Sequence, residues 1–377
     1  MVLTAETLLD GPRGRRLVLE WVVGRGDHDP ACRRLRQVLF DAAYGQGRDR
    51  GHAISIVSYG SGGSRLEHST TTPSAVAVVL DDLPDAPPPT PGELRSALRA
   101  SVDSARYWQD PDGEDHVVAD PAVRRALRRF AAALLDSSAA AGWSDDVRRS
   151  EQVTVRWFEG DDEPAEKPAV DPRTAREVLA AWRTATIEDD LRARRERPTD
   201  PTANWSGTWW SKPPTQLTRS TGLRVDGRPL GVELVEDRFS WTAAEVRPVT
   251  VPGGLRVLEV RSADDWAALC RAHPLDVTGE KRHDWYHTTG RVSRWVMPDW
   301  SAVAREVDGV HLTLEGYLRC AGRAIDVGLS GALAGDAASV IAGWNPDETV
   351  WFSDAVTVAT ECQRWVWVGR DGWTLVR

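Results

Sequence analysis

Side chains able to do chemistry gather in four segments of the second half of the chain. Residues 281–291 hold Lys281, Arg282, His283, Asp284, Tyr286, His287, Thr288, Thr289 and Arg291. This density of donors reads as an anion-binding loop, with Arg282 and Arg291 as the forked cations that suit phosphate or carboxylate. His283 or His287 would serve as general acid or base, since imidazole titrates near neutrality. Tyr286 adds a ring and a hydroxyl. No metal is predicted: His283 and His287 stand four apart, but no helical period supports them and no Glu follows His283. The bland alternative is a solvated polar loop.

Residues 308–317 alternate. Val310, Leu312 and Leu314 fall on one strand face, and His311, Thr313 and Glu315 on the other. A His, a hydroxyl and a carboxylate on one face could bind a ligand and hold a proton, with His311 as the catalytic group and Thr313 as a ligand contact. A half-exposed strand with a polar side is the other reading. Residues 204–211 place Trp205, Trp209 and Trp210 around Gly207. They predict either a wall over a planar ligand, Trp209 foremost, or a loop pinned to the core by its indoles. In residues 343–352, Asn345-Pro346-Asp347 is turn chemistry leading into a strand. It would either project Glu348 as a catalytic carboxylate or be a plain turn. Three of the eight His residues, His283, His287 and His311, fall in this short span. The clustering predicts that residues 281–291 and 309–315 border one cleft, with Trp205, Trp209 or Trp210 on its wall.

The elements that must position these residues read as an α+β chain. Residues 1–199 form a helix-rich, mixed region. Leu35, Val38 and Leu39 mark a helical face, and residues 54–59 and 75–80 read as strands around a glycine-rich loop, 60–64. The proline-rich stretch 84–91 divides this region. Apolar spacing from Leu94 to Trp108 predicts a helix. Asp120-Pro121 gives an N-cap and a first-turn proline for another. Residues 153–158 read as a strand, 160–167 as an exposed acidic loop, and Asp171-Pro172 as a helix start. The charged run 188–199, closed by Pro198, suggests an inter-domain crossing. Residues 200–377 then read as a Trp-rich domain with a mixed sheet and packed helices. Its strands are expected at 255–260, 309–314, 349–352, 364–368 and 373–376, and its helices after Ser262 and Asp299.

Composition narrows the function classes. The chain has 377 residues and a net charge of −9. Residues 1–200 carry −6 and residues 201–377 carry −3, so neither part has the basic excess that nucleic-acid binding needs. Cys32, Cys270, Cys320 and Cys362 form no C-x-x-C pair, which excludes a zinc ribbon and fits reduced thiols. No apolar run approaches the roughly 20 residues of a membrane span, and the first residues do not read as a secretory signal. The expected location is cytoplasmic. Tryptophan is the outlier: 18 residues, 13 of them after position 200, while Lys and Met are scarce. The indoles predict a Trp-rich core or a pocket that stacks a planar ligand.

The Trp-Ser-Gly-Thr-Trp-Trp run, with segments 308–317 and 343–352, resembles an uncharacterised protein family of high-GC bacteria over most of residues 200–352. The resemblance implies no activity. His311-x-Thr313 is also similar to the His-x-Thr strand of ADP-ribosyltransferases and RNA phosphotransferases, where the His holds a ribose of NAD. That class has an aromatic stacking wall and a late catalytic Glu, for which Glu348 or Glu361 would stand. Its middle Ser-Thr-Ser strand is not evident in this chain. Two functions follow as expectations. The first is an enzyme acting on a small nucleotide-like ligand, with NAD as cofactor and ADP-ribosyl transfer as the reaction. The second is a non-catalytic module offering an exposed Trp-rich surface to a protein partner.

Overall fold

The computed structural model describes residues 3–25, 30–49, 71–159, 173–224, 226–238, 241–328, 335–369 and 372–376. They divide into two compact units. One comprises Met1–Ser101 with Asp110–Ala141, the other Val102–Gln109 with Gly142–Arg377.

The described residues of the first unit are helical. Its helices are α1 (Ala5–Asp10), α2 (Pro12–Gly24), α3 (Pro30–Asp49), α4 (Pro73–Asp82), α5 (Pro91–Asp103), α6 (Gly113–Ala119) and α7 (Pro121–Leu135). Asp120 caps α7 by accepting from Ala122 and Val123 N–H, with Pro121 in the first turn, as the Asp-Pro pair predicts. This helix buries Val123, Leu127, Phe130 and Leu134, and Trp21 of α2 meets Phe130 edge-on at 6.4 Å. The buried Arg13 donates to Ser101 O at 2.9 Å and pairs with Asp115. Residues 75–80, expected as a strand, lie in α4. Pro73 opens the helix, and Val76, Ala77, Val79 and Leu80 bury one helical face while Val78 is exposed. Packing of that face overrides the β-propensity of the valines. The strand expected at 54–59, the loop 60–64 and the acidic loop 160–167 lie outside the described residues.

The second unit is α+β. In chain order it holds β1 (Gln152–Phe158), α8 (Ala175–Glu196), β2 (Arg219–Gly222), α9 (Leu230–Glu233), β3 (Ala243–Thr250), β4 (Val257–Val260), α10 (Ala263–Ala272), β5 (Pro274–Asp276), α11 (Thr278–Thr289) and β6 (Arg294–Pro298). Then come α12 (Trp300–Val303), β7 (Gly309–Leu312), α13 (Leu314–Cys320), β8 (Ile325–Asp326), β9 (Ala337–Ser339), β10 (Glu348–Trp351), β11 (Thr357–Val358), β12 (Gln363–Trp367) and β13 (Trp373–Leu375). Among the described residues, nine strands form one mixed sheet in the order β13-β12-β3-β1-β2-β10-β7-β4, with β11 also on β3. Only β4 and β7 pair parallel within it. A second sheet runs β5-β6-β9-β8. The strand β1 sits at the centre of the large sheet, between β2 and β3. The charged run 188–199, expected at a domain crossing, is mostly the last turns of α8, which a Thr174–Glu177 capping box starts.

Two expected elements change type. Residues 281–291 are not a loop: up to Thr289 they are α11, which ends at Gly290 in the left-handed conformation, φ 69°. Its buried face is made of Glu280, Lys281, His283, Asp284, Trp285 and Thr288, so no apolar period marks it. The strand over 309–314 stops at Leu312. Thr313 turns the chain by accepting from Gly316 N–H at 3.0 Å and caps α13. His311, Thr313 and Glu315 therefore do not share a strand face.

Candidate functional site

Side-chain alternation divides the large sheet into two faces. One carries Val153, Val155 and Trp157 of β1, Arg219 and Thr221 of β2, and Glu348 of β10. The register pairs Val153 with Thr221 and Thr221 with Glu348. On this face lies a cavity of about 770 Å³. Five indoles line it: Trp108, Trp157, Trp209, Trp210 and Trp241. Trp157 and Trp241 stack at 5.4 Å, and Trp209 meets Trp210 edge-on at 5.9 Å. Trp108 donates its Nε1–H to Asp237 at 2.9 Å, and Arg106 grips the same carboxylate at 3.2 Å.

Five charged side chains also line the cavity: Lys212, Arg219, Glu236, Asp237 and Glu348. Arg219 donates to Pro213 O at 2.9 Å and stands 3.5 Å from the buried Glu348 carboxylate. Asn345 accepts from Glu236 N–H at 3.1 Å, tying the segment of Glu236 to the turn before β10. Burial pushes the Lys212 ammonium below its ordinary range, and Arg219 adds to this; Glu348 and Glu236 oppose it.

The indole wall is held from behind by α11. Asp284 accepts from Ser206 Oγ at 2.7 Å and from Gly207 N–H at 3.0 Å. Glu280 accepts from Thr208 N–H at 3.0 Å, Lys281 donates to Thr208 O, and Trp285 Nε1–H donates to Trp209 O at 2.8 Å. One helical face thus satisfies backbone groups of residues 207–209, which no strand partner serves. Other buried indoles do similar work. Trp300 donates to Ser211 O at 3.1 Å, and Trp344 donates to Glu348 O at 3.2 Å. Gly343, at φ 70°, lets Trp210 approach; a Cβ there would lie 2.5 Å from Trp210 Cβ. The Trp excess therefore serves both core and cavity. Trp266, Trp285, Trp295, Trp300, Trp344, Trp351 and Trp373 are fully buried.

Of the expected site residues, Trp209 and Glu348 line the cavity; Arg282, His283, Tyr286, His287, Arg291, His311 and Thr313 do not. Arg282 donates to the carbonyls of Pro198, Gly279, Ala193 and Arg197, so it ties α11 to the end of α8. Arg291 pairs with Asp326 and Asp336. Buried His283 has its pKa lowered by desolvation and by Arg282. The His287 ring lies 3.4 Å from Ala203 O and meets Tyr286 edge-on. Residues 281–285 do reach the Trp segment, as anchors, but residues 309–315 do not border the cavity. Trp205 lies outside it, 44% exposed, with Arg197 over its ring at 5.9 Å. Glu361 is exposed and does not line it. Lys212, Arg219 and Glu236 were missed. Lys212 directly follows the Trp run, and the scarcity of Lys was the signal that could have found it.

His311 belongs to the opposite face, where the register sets it beside Glu259 and Thr349. It is 2% exposed, with Nδ1 2.5 Å from Glu259 and Nε2 3.4 Å from Asp347. Although burial opposes it, hydrogen bonds to Asp347 and Glu259 push the imidazole up to about 9, so it is an imidazolium between two carboxylates at neutral pH. Glu259 also accepts from Val147 N–H at 3.0 Å, and Asp347 from Gly222 N–H at 2.7 Å. The cluster ties together β4, β7, the turn before β10 and the end of β2.

Among the described residues, no group of His, Cys, Asp and Glu is arranged to hold a metal ion, and no helix is long and apolar enough to cross a membrane. Cys270 and Cys320 are buried thiols pushed up to about 12 by desolvation, so neither is poised as a nucleophile. Compared with protein-family models, curated protein sequences and solved structures, the chain matches none.

Proposed function

We propose that the second unit binds a small nucleotide-like ligand in the tryptophan-walled cavity, with NAD the first cofactor to test. The observation that supports this reading is the meeting of five indoles and five charged side chains in one cavity of ligand size. Small-molecule sites usually enclose roughly 300–1,000 Å³ and join apolar walls to a few polar groups. Indole faces attract flat rings, and stacking a base on an aromatic side chain contributes roughly 1–3 kcal/mol. Against Lys212 and Arg219 stand three carboxylates, Glu236, Asp237 and Glu348, so the lining has no cationic excess. The floor therefore favours the uncharged base and sugar of such a ligand over a free phosphate. The carboxylates accept from sugar hydroxyls, and Arg219 and Lys212 donate.

Within this reading, ADP-ribosyl transfer needs a carboxylate against the positive charge that develops on the sugar as the glycosidic bond breaks. Glu348 is the candidate. His311, sealed on the opposite face, takes no direct part. The interaction-surface reading has less support: of the partly exposed Trp108, Trp205 and Trp210, two line the cavity.

The test is a titration with adenosine, nicotinamide riboside and NAD, followed by calorimetry and by indole emission. Saturable binding with a change in emission is expected for at least one of them. Flat titrations with all three would remove the reading.

A further inference from the structure

We propose that Lys212 is a nucleophilic amine that forms an imine with an aldehyde or ketone carried by a ligand in the tryptophan-walled cavity. This rests on the reading that the cavity takes a flat-faced small molecule, and it adds the chemistry done there.

The chain is built with 44 Arg and 3 Lys: Lys167, Lys212 and Lys281. Arg thus supplies almost all of the positive charge of this sequence. A guanidinium stays protonated and is no nucleophile, whereas a lysine can give up its proton when buried. Lys167 lies outside the described residues. Lys281 is committed to a structural task, donating to Thr208 O behind the indole wall. Lys212 is different. It lines the main cavity and the small pocket of about 30 Å³ beside Trp182 and Lys281. It has neither a hydrogen bond nor an ion pair among the described residues. An amine left unpaired inside a cavity is a group kept for a ligand. An anion clamp would be served as well by Arg, as Arg219 already is for Glu348.

The surroundings suit the step. Burial and the neighbouring Arg219 favour the neutral amine, which is the nucleophilic form. Glu236 and Glu348 line the same cavity and can carry protons. The lone pair of Nζ adds to the carbonyl carbon, forming the C–N bond, and the carbonyl π electrons go to oxygen. A carboxyl group protonates that oxygen, and the amine's surplus proton passes to a carboxylate. The carbinolamine then expels its oxygen as water, taking a second proton from a carboxyl group, while the remaining N–H proton leaves to a carboxylate. One water is released, and no oxidant or reductant is consumed. The open-chain aldehyde of a reducing sugar is the member of this class nearest to a nucleoside.

The experiment uses the full chain, adenosine dialdehyde (periodate-opened adenosine) and sodium cyanoborohydride at near-neutral pH, followed by peptide mass mapping. With three lysines and the N-terminus to compare, the map is unambiguous. The expected result is an adduct concentrated on the Lys212 peptide, suppressed by excess adenosine and lost in Lys212→Arg. Equal labelling of Lys167 and Lys212, or labelling that adenosine does not suppress although it binds, overturns the proposal. If Lys212→Arg does not fold, the adenosine competition on the unaltered protein decides. Adenosine binding without a Lys212 adduct overturns the imine and leaves the cavity reading standing. A Lys212 adduct on a protein that adenosine does not bind supports the amine chemistry and overturns the nucleoside reading.

Discussion

At the scale of single residues, the buried charge of His311 is paired with two carboxylates, and that pairing has a pH signature. The folded state raises His311 from 6.5 to about 9 through Asp347 and Glu259. Its contribution is thus fully present below pH 6.5 and is lost as pH rises through about 9, on the order of 3 kcal/mol. Lys281 acts in the opposite sense. Desolvation lowers it from 10.5 to about 8, so the unfolded chain holds the proton more tightly and stability rises between those values. Denaturant melts of the second unit should therefore lose stability from pH 6.5 towards 8, level off to about 9, and regain some stability above that. In His311→Gln the first limb should vanish, with lower stability at neutral pH because Glu259 and Asp347 lose the cation between them. An unchanged slope in that variant would sink the buried-imidazolium account. The sequence singled out His311 as a catalytic group, whereas the fold buries it away from the cavity. It did not disclose the partners, because Glu259 and Asp347 come from elsewhere in the chain and only the sheet brings them together.

At the scale of elements, the sequence revealed what apolar periodicity and caps encode, and hid what polar burial encodes. The caps at Asp120, Ser262 and Asp299 and the strands near 153–158 and 364–368 follow from local chemistry. The helix α11 does not, since its inner face is charged and its partner is the backbone of a distant loop. That loop was legible as a wall of indoles, but not what holds it. Two variants test the arrangement. Asp284→Ala leaves Gly207 N–H and Ser206 without their acceptor, which should cost about 1–3 kcal/mol and change indole emission. Unaltered stability and emission would mean that α11 does not position the wall. Gly343→Ala meets both a left-handed φ and Trp210, so it should lower the melting temperature and weaken ligand binding. Gly227→Ala shares the positive φ but has nothing nearby, so it should pay for backbone strain alone and leave binding intact.

At the scale of the whole molecule, the chain enters the second unit early. Residues 102–109 belong to it, although 110–141 return to the first. Trp108 on the cavity wall comes from that early visit, as does Tyr107, which accepts from Thr288 Oγ1 at 2.9 Å. A boundary near residue 200 drawn from a charged run could not reveal this, because residues 106–108 are tied to Asp237 and Thr288, which are far off in the chain. A fragment spanning 142–377 should accordingly melt at a lower temperature and bind ligand more weakly than the full chain. Equal melting and affinity would show Trp108 to be dispensable. The central claim is that the cavity indoles, rather than the exposed ones, bind a flat-ringed ligand. Calorimetric titration of Trp209→Ala and Trp205→Ala with whichever of adenosine, nicotinamide riboside or NAD binds the parent protein tests it most directly. The account predicts affinity about tenfold or more weaker for Trp209→Ala and unchanged for Trp205→Ala, which removes an indole outside the cavity. Equal loss in both, or loss in Trp205→Ala alone, would contradict it.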